Sequence, residues 1–209
     1  MKALHQHRRE TMLKIFTDML ITALYAMVVQ NLVFSASYGL SESVRMAKKP
    51  KQFIMFGFCV TLFCTLSSVI CTLICRIPAL SQLELKHCYL IFTAVVCIIY
   101  LITAVIFKKL FHANKKFLNS LAMCAFNTLV LALPFLGLKA GGDILHALSL
   151  GIGAGLAFVL SLLLINAGMR HIRKNEHIPE FFKGTPALFI YVSLIALSLS
   201  CISGEALFL

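Results

Sequence analysis

The chain has 209 residues, of which 60% are hydrophobic and 13% charged, with a formal net charge of +11 and a mean hydropathy of +0.92. Globular domains average about 45–50% apolar and about 25% charged residues, and a soluble core of this length cannot hide so much apolar surface. The composition therefore predicts an integral membrane protein. It excludes a soluble enzyme, a secreted disulfide scaffold and a nucleic-acid-binding module, because the basic residues fall in short clusters between apolar runs, as topology signals do.

A membrane span needs about 20 mostly apolar residues, and six candidates follow one another at roughly 15–38, 53–75, 88–107, 117–138, 144–168 and 186–204. Residues 1–16 read as an extension carrying Lys2, Arg8, Arg9 and Lys14. The first apolar run is longer than the 7–15 residues of a signal-peptide core and no small-x-small cleavage site follows it, so it reads as a retained span. It contains Gln30-Asn31-Leu32-Val33-Phe34, then Ser35, Ser37, Gly39 and Ser41. In the second span Cys64, Cys71 and Cys75 share one helical face. The chain has no C-x-x-C pair and no zinc spacing with histidine, so these thiols read as small packing groups. The fourth span contains Asn127-Thr128-Leu129-Val130-Leu131, then Pro134 and Gly137. In the fifth, Gly151-Ile152-Gly153-Ala154-Gly155 lies inside an apolar run without a preceding strand, which points to close helix packing and not to a phosphate loop. His5, His7, His87, His112, His171 and His177 fall in termini or loops and His146 near the start of the fifth span, none with a demonstrable catalytic or metal-binding partner.

The first and fourth spans each place an asparagine within the apolar run and helix-weakening residues a turn or two later. Three spans followed by three more suggest a duplication. With an odd number of spans per copy, the second copy must run inverted through the bilayer. The expected architecture is thus all-α, six transmembrane helices in two inverted three-helix repeats (about 17–109 and 117–204, then a short tail at 205–209), with helices 1 and 4 broken. Broken helices at matching positions of inverted repeats recur in ion and substrate paths, which makes Asn31 and Asn127 ion-path candidates. The alternative is that both simply hydrogen-bond to neighbouring helices and that Pro134 makes a kink.

Loops one, three and five carry twelve positive residues (Arg45, Lys48, Lys49, Lys51; Lys108, Lys109, Lys115, Lys116; Arg170, Arg173, Lys174, Lys183). Loops two and four carry only three, Arg76, Lys86 and Lys139. The positive-inside rule then puts loops one, three and five in the cytoplasm and both termini outside, with the four positives of the N-terminal segment opposing that orientation.

These residues resemble the paired membrane subunits of the Rnf and Nqr ion-translocating redox complexes, the RnfA/NqrE type in particular. Asn31 to Lys49, NLVFSASYGLSESVRMAKK, is similar to the family's N-F-V-L-x-x-x-x-G-L-C-P-x-x-G-x-S-K-K. Asn127-Thr128-Leu129-Val130-Leu131 is similar to its N-C-A-V-L, and Ile178-Pro179-Glu180-Phe181-Phe182-Lys183-Gly184 to its V-P-x-x-F-x-G, followed by a closing helix ending Ser200-Cys201-Ile202-Ser203-Gly204. The resemblance runs from Thr17 to Gly204. It implies a subunit of a bacterial inner-membrane complex that couples electron transfer to Na+ or H+ movement. Implied partners are a paralogous six-helix subunit of the RnfE/NqrD type, plus further redox subunits that hold the flavin, NADH and ferredoxin chemistry. The family holds a [2Fe–2S] cluster between the two paralogues, with two cysteines from each. Here those two positions are Ser41 and Thr128. Hydroxyls are hard, weakly acidic donors where iron–sulfur clusters take soft thiolates, so this chain is expected to lack cluster ligands, a catalytic site and a metal site of its own. Cys124 stands one helical turn before Thr128 as a conceivable shifted donor. The rival reading from another class is the membrane substrate-binding subunit of a vitamin-type transporter. It accounts for the missing thiolates but not for the family-like tail.

Overall fold

A computed structural model describes residues 2–77, 85–110, 112, 114–139 and 143–203. Helix α1 spans Lys2–Val28, α2 Leu32–Ser35, α3 Leu40–Ala47, α4 Pro50–Cys75, α5 Leu85–Leu110, α6 Lys115–Ala125, α7 Thr128–Lys139, α8 Ile144–Lys174 and α9 Thr185–Ser203. No strand occurs among the described residues. A helix closes its backbone hydrogen bonds within itself, which lipid demands of any exposed segment. Six stretches are long and apolar enough to cross a membrane: Arg9–Ser35, Gln52–Cys75, His87–Lys109, Lys115–Gly137, Ile144–Lys174 and Thr185–Ile202. The chain is a multi-pass membrane protein. Its outward surface is correspondingly apolar, with Ile54, Phe58 and Leu90 between 68% and 76% exposed.

The fifth span, α8, is the centre of the bundle. It is 61% buried, against 17% and 11% for the third and sixth. It lies along α4 and against α1, while α6 and α7 flank the other side of α4. Glycines set these distances. A Cβ on Gly151 would stand 2.7 Å from the Cα of Thr65, and one on Gly155 2.5 Å from the Cα of Thr61, so α8 rides directly on the α4 backbone. Gly153, on another face, would meet the Ala23 carbonyl of α1 at 2.6 Å. The glycine run thus does the packing work its small side chains imply. Between α4 and α5, Cys71 and Cys88 pack with Phe92 in a small separate cluster, and Cys64 lies in the main core.

Residues 2–16 continue α1 as one helix, so the N-terminal segment is structurally continuous with the first span. Spans 1 and 4 each break at the asparagine itself, and of the weakening residues after them only Ser37 and Gly39 of span 1 add a further break. Pro134 lies inside α7. Without an N–H it leaves the Val130 carbonyl, four residues earlier, without its helical partner, and the Ser67 hydroxyl of α4, shared with Cys64 O of its own helix at 3.2 Å, reaches that oxygen at 3.3 Å. A neighbouring helix repairs the proline, and the helix continues. The first span breaks twice, at Asn31 and again before Gly39, where Ser37 (φ 58°) and Gly39 (φ 74°) are left-handed. Gly204 and loop residues 78–84 and 140–142 lie outside the described residues.

Loops one, three and five gather at one end of the bundle. Gln52 lines a cavity with Asn114 and Lys116, and Lys48 lines another with Arg173 and Gly184.

Candidate functional site

Both breaks are built the same way. After α1 ends, Asn31 takes an extended backbone (φ −65°, ψ 97°) and caps α2, its Oδ1 accepting from Val33 N–H at 3.1 Å. After α6 ends, the Oδ1 of Asn127 accepts from Leu129 N–H at 3.0 Å. In each case an asparagine satisfies the donor two residues on, a bond that terminates one helix and starts the next. The carbonyls follow suit, Ser35 N–H donating to Asn31 O and Leu131 N–H to Asn127 O. Both side chains are buried, Asn31 1% and Asn127 0% exposed. Irregular backbone is tolerated here because the asparagines themselves are enclosed by protein and supply the missing hydrogen bonds.

The two asparagines differ in what the rest of the amide finds. Asn31 Nδ2 donates to Met27 O at 3.2 Å, the oxygen left free where α1 stops, and reaches Ala157 O of α8 at 3.5 Å. Its Oδ1 also accepts from the Ser161 hydroxyl at 3.3 Å. Asn31 is therefore a junction among α1, α2 and α8. Asn127 Nδ2 has no partner among the described residues, nor do the buried hydroxyls of Ser68 and Thr72, one turn apart on α4. An unpaired buried amide is costly.

The breaks meet each other. The Gly39 N–H donates to Thr128 Oγ1 at 2.7 Å across the two halves. A Cβ on Gly39 would stand 2.6 Å from Asn127 Oδ1 and 3.2 Å from the Phe158 ring. Glycine is required there twice over, for its left-handed φ and for the approach of the asparagine. Ser41 and Thr128, the positions of the family's cluster thiolates, consequently lie on touching segments, and both are exposed at the protein surface. Their chemistry does not suit a cluster. Both are hydroxyls, and that of Thr128 already accepts from Gly39. Cys124 points elsewhere, its thiol donating to Phe56 O at 3.7 Å, beside a cavity of about 210 Å3 between α3, α4 and α6. Among the described residues no three His, Cys, Asp or Glu side chains group as metal ligands.

The two asparagines are conspicuous in the sequence, whereas the buried hydroxyls of the bundle, one of them Asn31's partner, are not. Ser161, Ser67, Ser68 and Thr72 were hidden as ordinary small residues in apolar runs. Asn166 carried a readable signal, a third asparagine within a span and four residues from Arg170. It is buried, and its Nδ2 donates to Ala47 O at 2.6 Å while its Oδ1 accepts from Arg170.

A six-span bundle with buried, asparagine-capped breaks in its first and fourth spans defines a multi-pass membrane protein with irregular backbone inside its core. The family model for the Rnf–Nqr subunit, a membrane protein, matches residues 19–205, and the chain belongs to that family. It is 27% identical over 189 residues to the A subunit of the ion-translocating oxidoreductase complex of Rhodobacter capsulatus, covering 90% of this chain and 97% of the relative. It is 24% identical over 180 residues to the A subunit of the proton-translocating ferredoxin:NAD(+) oxidoreductase complex of Clostridium ljungdahlii, covering 86% and 93%. Against the Na(+)-translocating counterpart of Acetobacterium woodii it is 24% identical over 184 residues, covering 87% and 95%.

Proposed function

We propose that this chain is the A-type membrane component of a bacterial, Rnf-like complex that couples electron transfer to movement of Na+ or H+. The observation that carries the reading is the pair of buried, identically capped breaks at Asn31 and Asn127, in a chain the family model covers almost throughout. Two inverted three-helix repeats account for the packing. The first span lies on α8 as the fourth lies on α4, and α9 touches α2 as α5 touches α6 and α7. Discontinuous helices at matching places of inverted repeats put polar backbone and side chains where an ion must shed water. Asn127 is the stronger path candidate because its amide nitrogen is unpartnered among the described residues, while Asn31 is tied to three helices.

The clustering of loops one, three and five at one end of the bundle, with their twelve basic residues, supports a cytoplasmic face there and both termini outside. The surface at Ser41 and Thr128 would face a paralogous six-helix protein, with this side of the contact contributing hydroxyls and no iron ligand.

Affinity purification of the tagged chain from native membranes in mild detergent, with co-purifying proteins identified by mass spectrometry, tests the reading. A second six-helix paralogue together with flavin and iron–sulfur subunits is the expected result. Recovery of ATPase subunits in their place would refute it.

A further inference from the structure

The bundle end where loops one and five meet carries a feature that ion translocation does not require. The C-terminal ends of α3 and α8 meet the start of α9 around two adjoining cavities of about 100 and 130 Å3. Lys48 and Arg173 line both, and Arg170 lines the second. None of the three has a carboxylate partner among the described residues, where the one ion pair is Arg76–Asp143 at the opposite end of α4 and α8. Arg170 is held in place. Its Nε donates to Asn166 Oδ1 at 2.8 Å, and Asn166 is itself fixed by the Ala47 carbonyl at the end of α3. The floor of the cavities is apolar, formed by Met169, Ile172 and Leu188.

The apolar floor leads on. Leu188 also lines a shallow groove between α3 and α9 with Leu40, Val44, Phe189 and Val192. At 1.5 Å rise per residue, Val44 and Leu40 lie about 6 and 12 Å along α3 from Lys48, and Val192 about 10 Å along α9 from Thr185. The groove therefore runs on from the basic cavity for about 10 Å along α3 and α9. Three cations without carboxylate partners among the described residues, beside a shallow apolar groove that shares Leu188 with their cavity, form the complement of one kind of molecule, an amphiphile with an anionic head. Basic pockets between membrane helices bind phosphate headgroups on these terms.

We propose that this cleft is a binding site for an anionic phospholipid, its phosphate held by Lys48, Arg170 and Arg173 and one acyl chain lying along Leu188, Val44 and Val192. The lipid fills the seam between α3, α8 and α9 and fastens the lightly packed sixth span to the bundle core.

The test uses the full chain in its purified complex, delipidated by detergent exchange and titrated with phosphatidylglycerol, phosphatidylcholine or inorganic phosphate, with bound lipid counted by native mass spectrometry. Phosphatidylglycerol should bind and phosphatidylcholine should not. An Arg170→Gln/Arg173→Gln variant should bind about 30-fold more weakly, roughly fivefold per removed cation. The control Lys108→Gln/Lys109→Gln, at another basic helix end, should bind as the wild type does. Leu188→Trp, which fills the groove and leaves the cations, should weaken the lipid but not the phosphate. Lys48→Gln, an exposed single change, serves where the double variant does not assemble and should lose about fivefold. Equal losses in the control, phosphate bound as tightly as the lipid, or a cleft that takes no lipid in the intact complex would each overturn the proposal. The last outcome would mean that another protein of the complex occupies the seam.

Discussion

Substituting alanine for each of the two break asparagines separates their roles. Asn31→Ala deletes the cap on α2, worth about 1 kcal/mol, and with it the bonds to Met27 O, Ala157 O and Ser161 Oγ. Interhelical hydrogen bonds in membranes contribute about 0.6 kcal/mol each, and the 3.5 Å contact to Ala157 is at the weak end of the range. The sum is a loss of about 2–3 kcal/mol. Asn127→Ala deletes the equivalent cap but breaks no second bond, since Nδ2 has no partner among the described residues. It also removes an unsatisfied buried donor. The expected loss is about 1 kcal/mol or less. Reversible unfolding of the purified chain in bicelles, following both variants against the wild type, should therefore rank Asn31→Ala as the more damaging by about 1 kcal/mol or more, the difference in bonds lost. Ion uptake into membrane vesicles driven by the complex should show the opposite order per folded molecule, with Asn127→Ala the more impaired. Equal stability losses would refute the account of the junction. Unimpaired transport in Asn127→Ala would remove that residue from the path.

Ser67→Ala should cost about 1 kcal/mol by orphaning the Val130 carbonyl, and that cost should vanish in a Pro134→Ala background, where a main-chain N–H again reaches the same oxygen. A thermal-stability double-mutant cycle reads the coupling, and additivity would contradict the repair mechanism. Gly155→Leu should prevent assembly of the bundle, because the Thr61 backbone 2.5 Å from the new Cβ cannot yield. Leu156→Ala, at an exposed neighbouring position, should express and run as a monodisperse species by fluorescence size-exclusion. Gly39→Ala should lose about 1 kcal/mol for the left-handed backbone alone and more through the collision with Asn127, as thermal unfolding will show. Iron analysis of the purified complex should assign no iron to ligands from this chain. Two irons bound by thiols of the wild-type chain would overturn that expectation.

The class, the number of spans and the presence of a break in the first and the fourth were legible in the order of the residues, because each rests on local chemistry. Apolar runs of about 20 residues declare themselves in any window, and an asparagine inside one is conspicuous because lipid penalises an unsatisfied amide. The glycine run of the fifth span was legible for the same reason. Which asparagine is saturated and which is open could not be read, because their immediate neighbourhoods are alike. The difference comes from Ser161 and Ala157, some 130 and 126 residues away in the chain from Asn31, and from the lack of any equivalent beside Asn127 among the described residues. Pro134 shows the same limit from the other direction. Its local effect is to break a helix, and only the packing of α4 against α7 supplies the hydroxyl that lets the helix continue. The basic residues of loops one and five likewise appear in sequence as topology signals. That three of them converge on one cavity beside an apolar groove follows from helix ends more than 120 residues apart meeting in space, a contact no local pattern encodes.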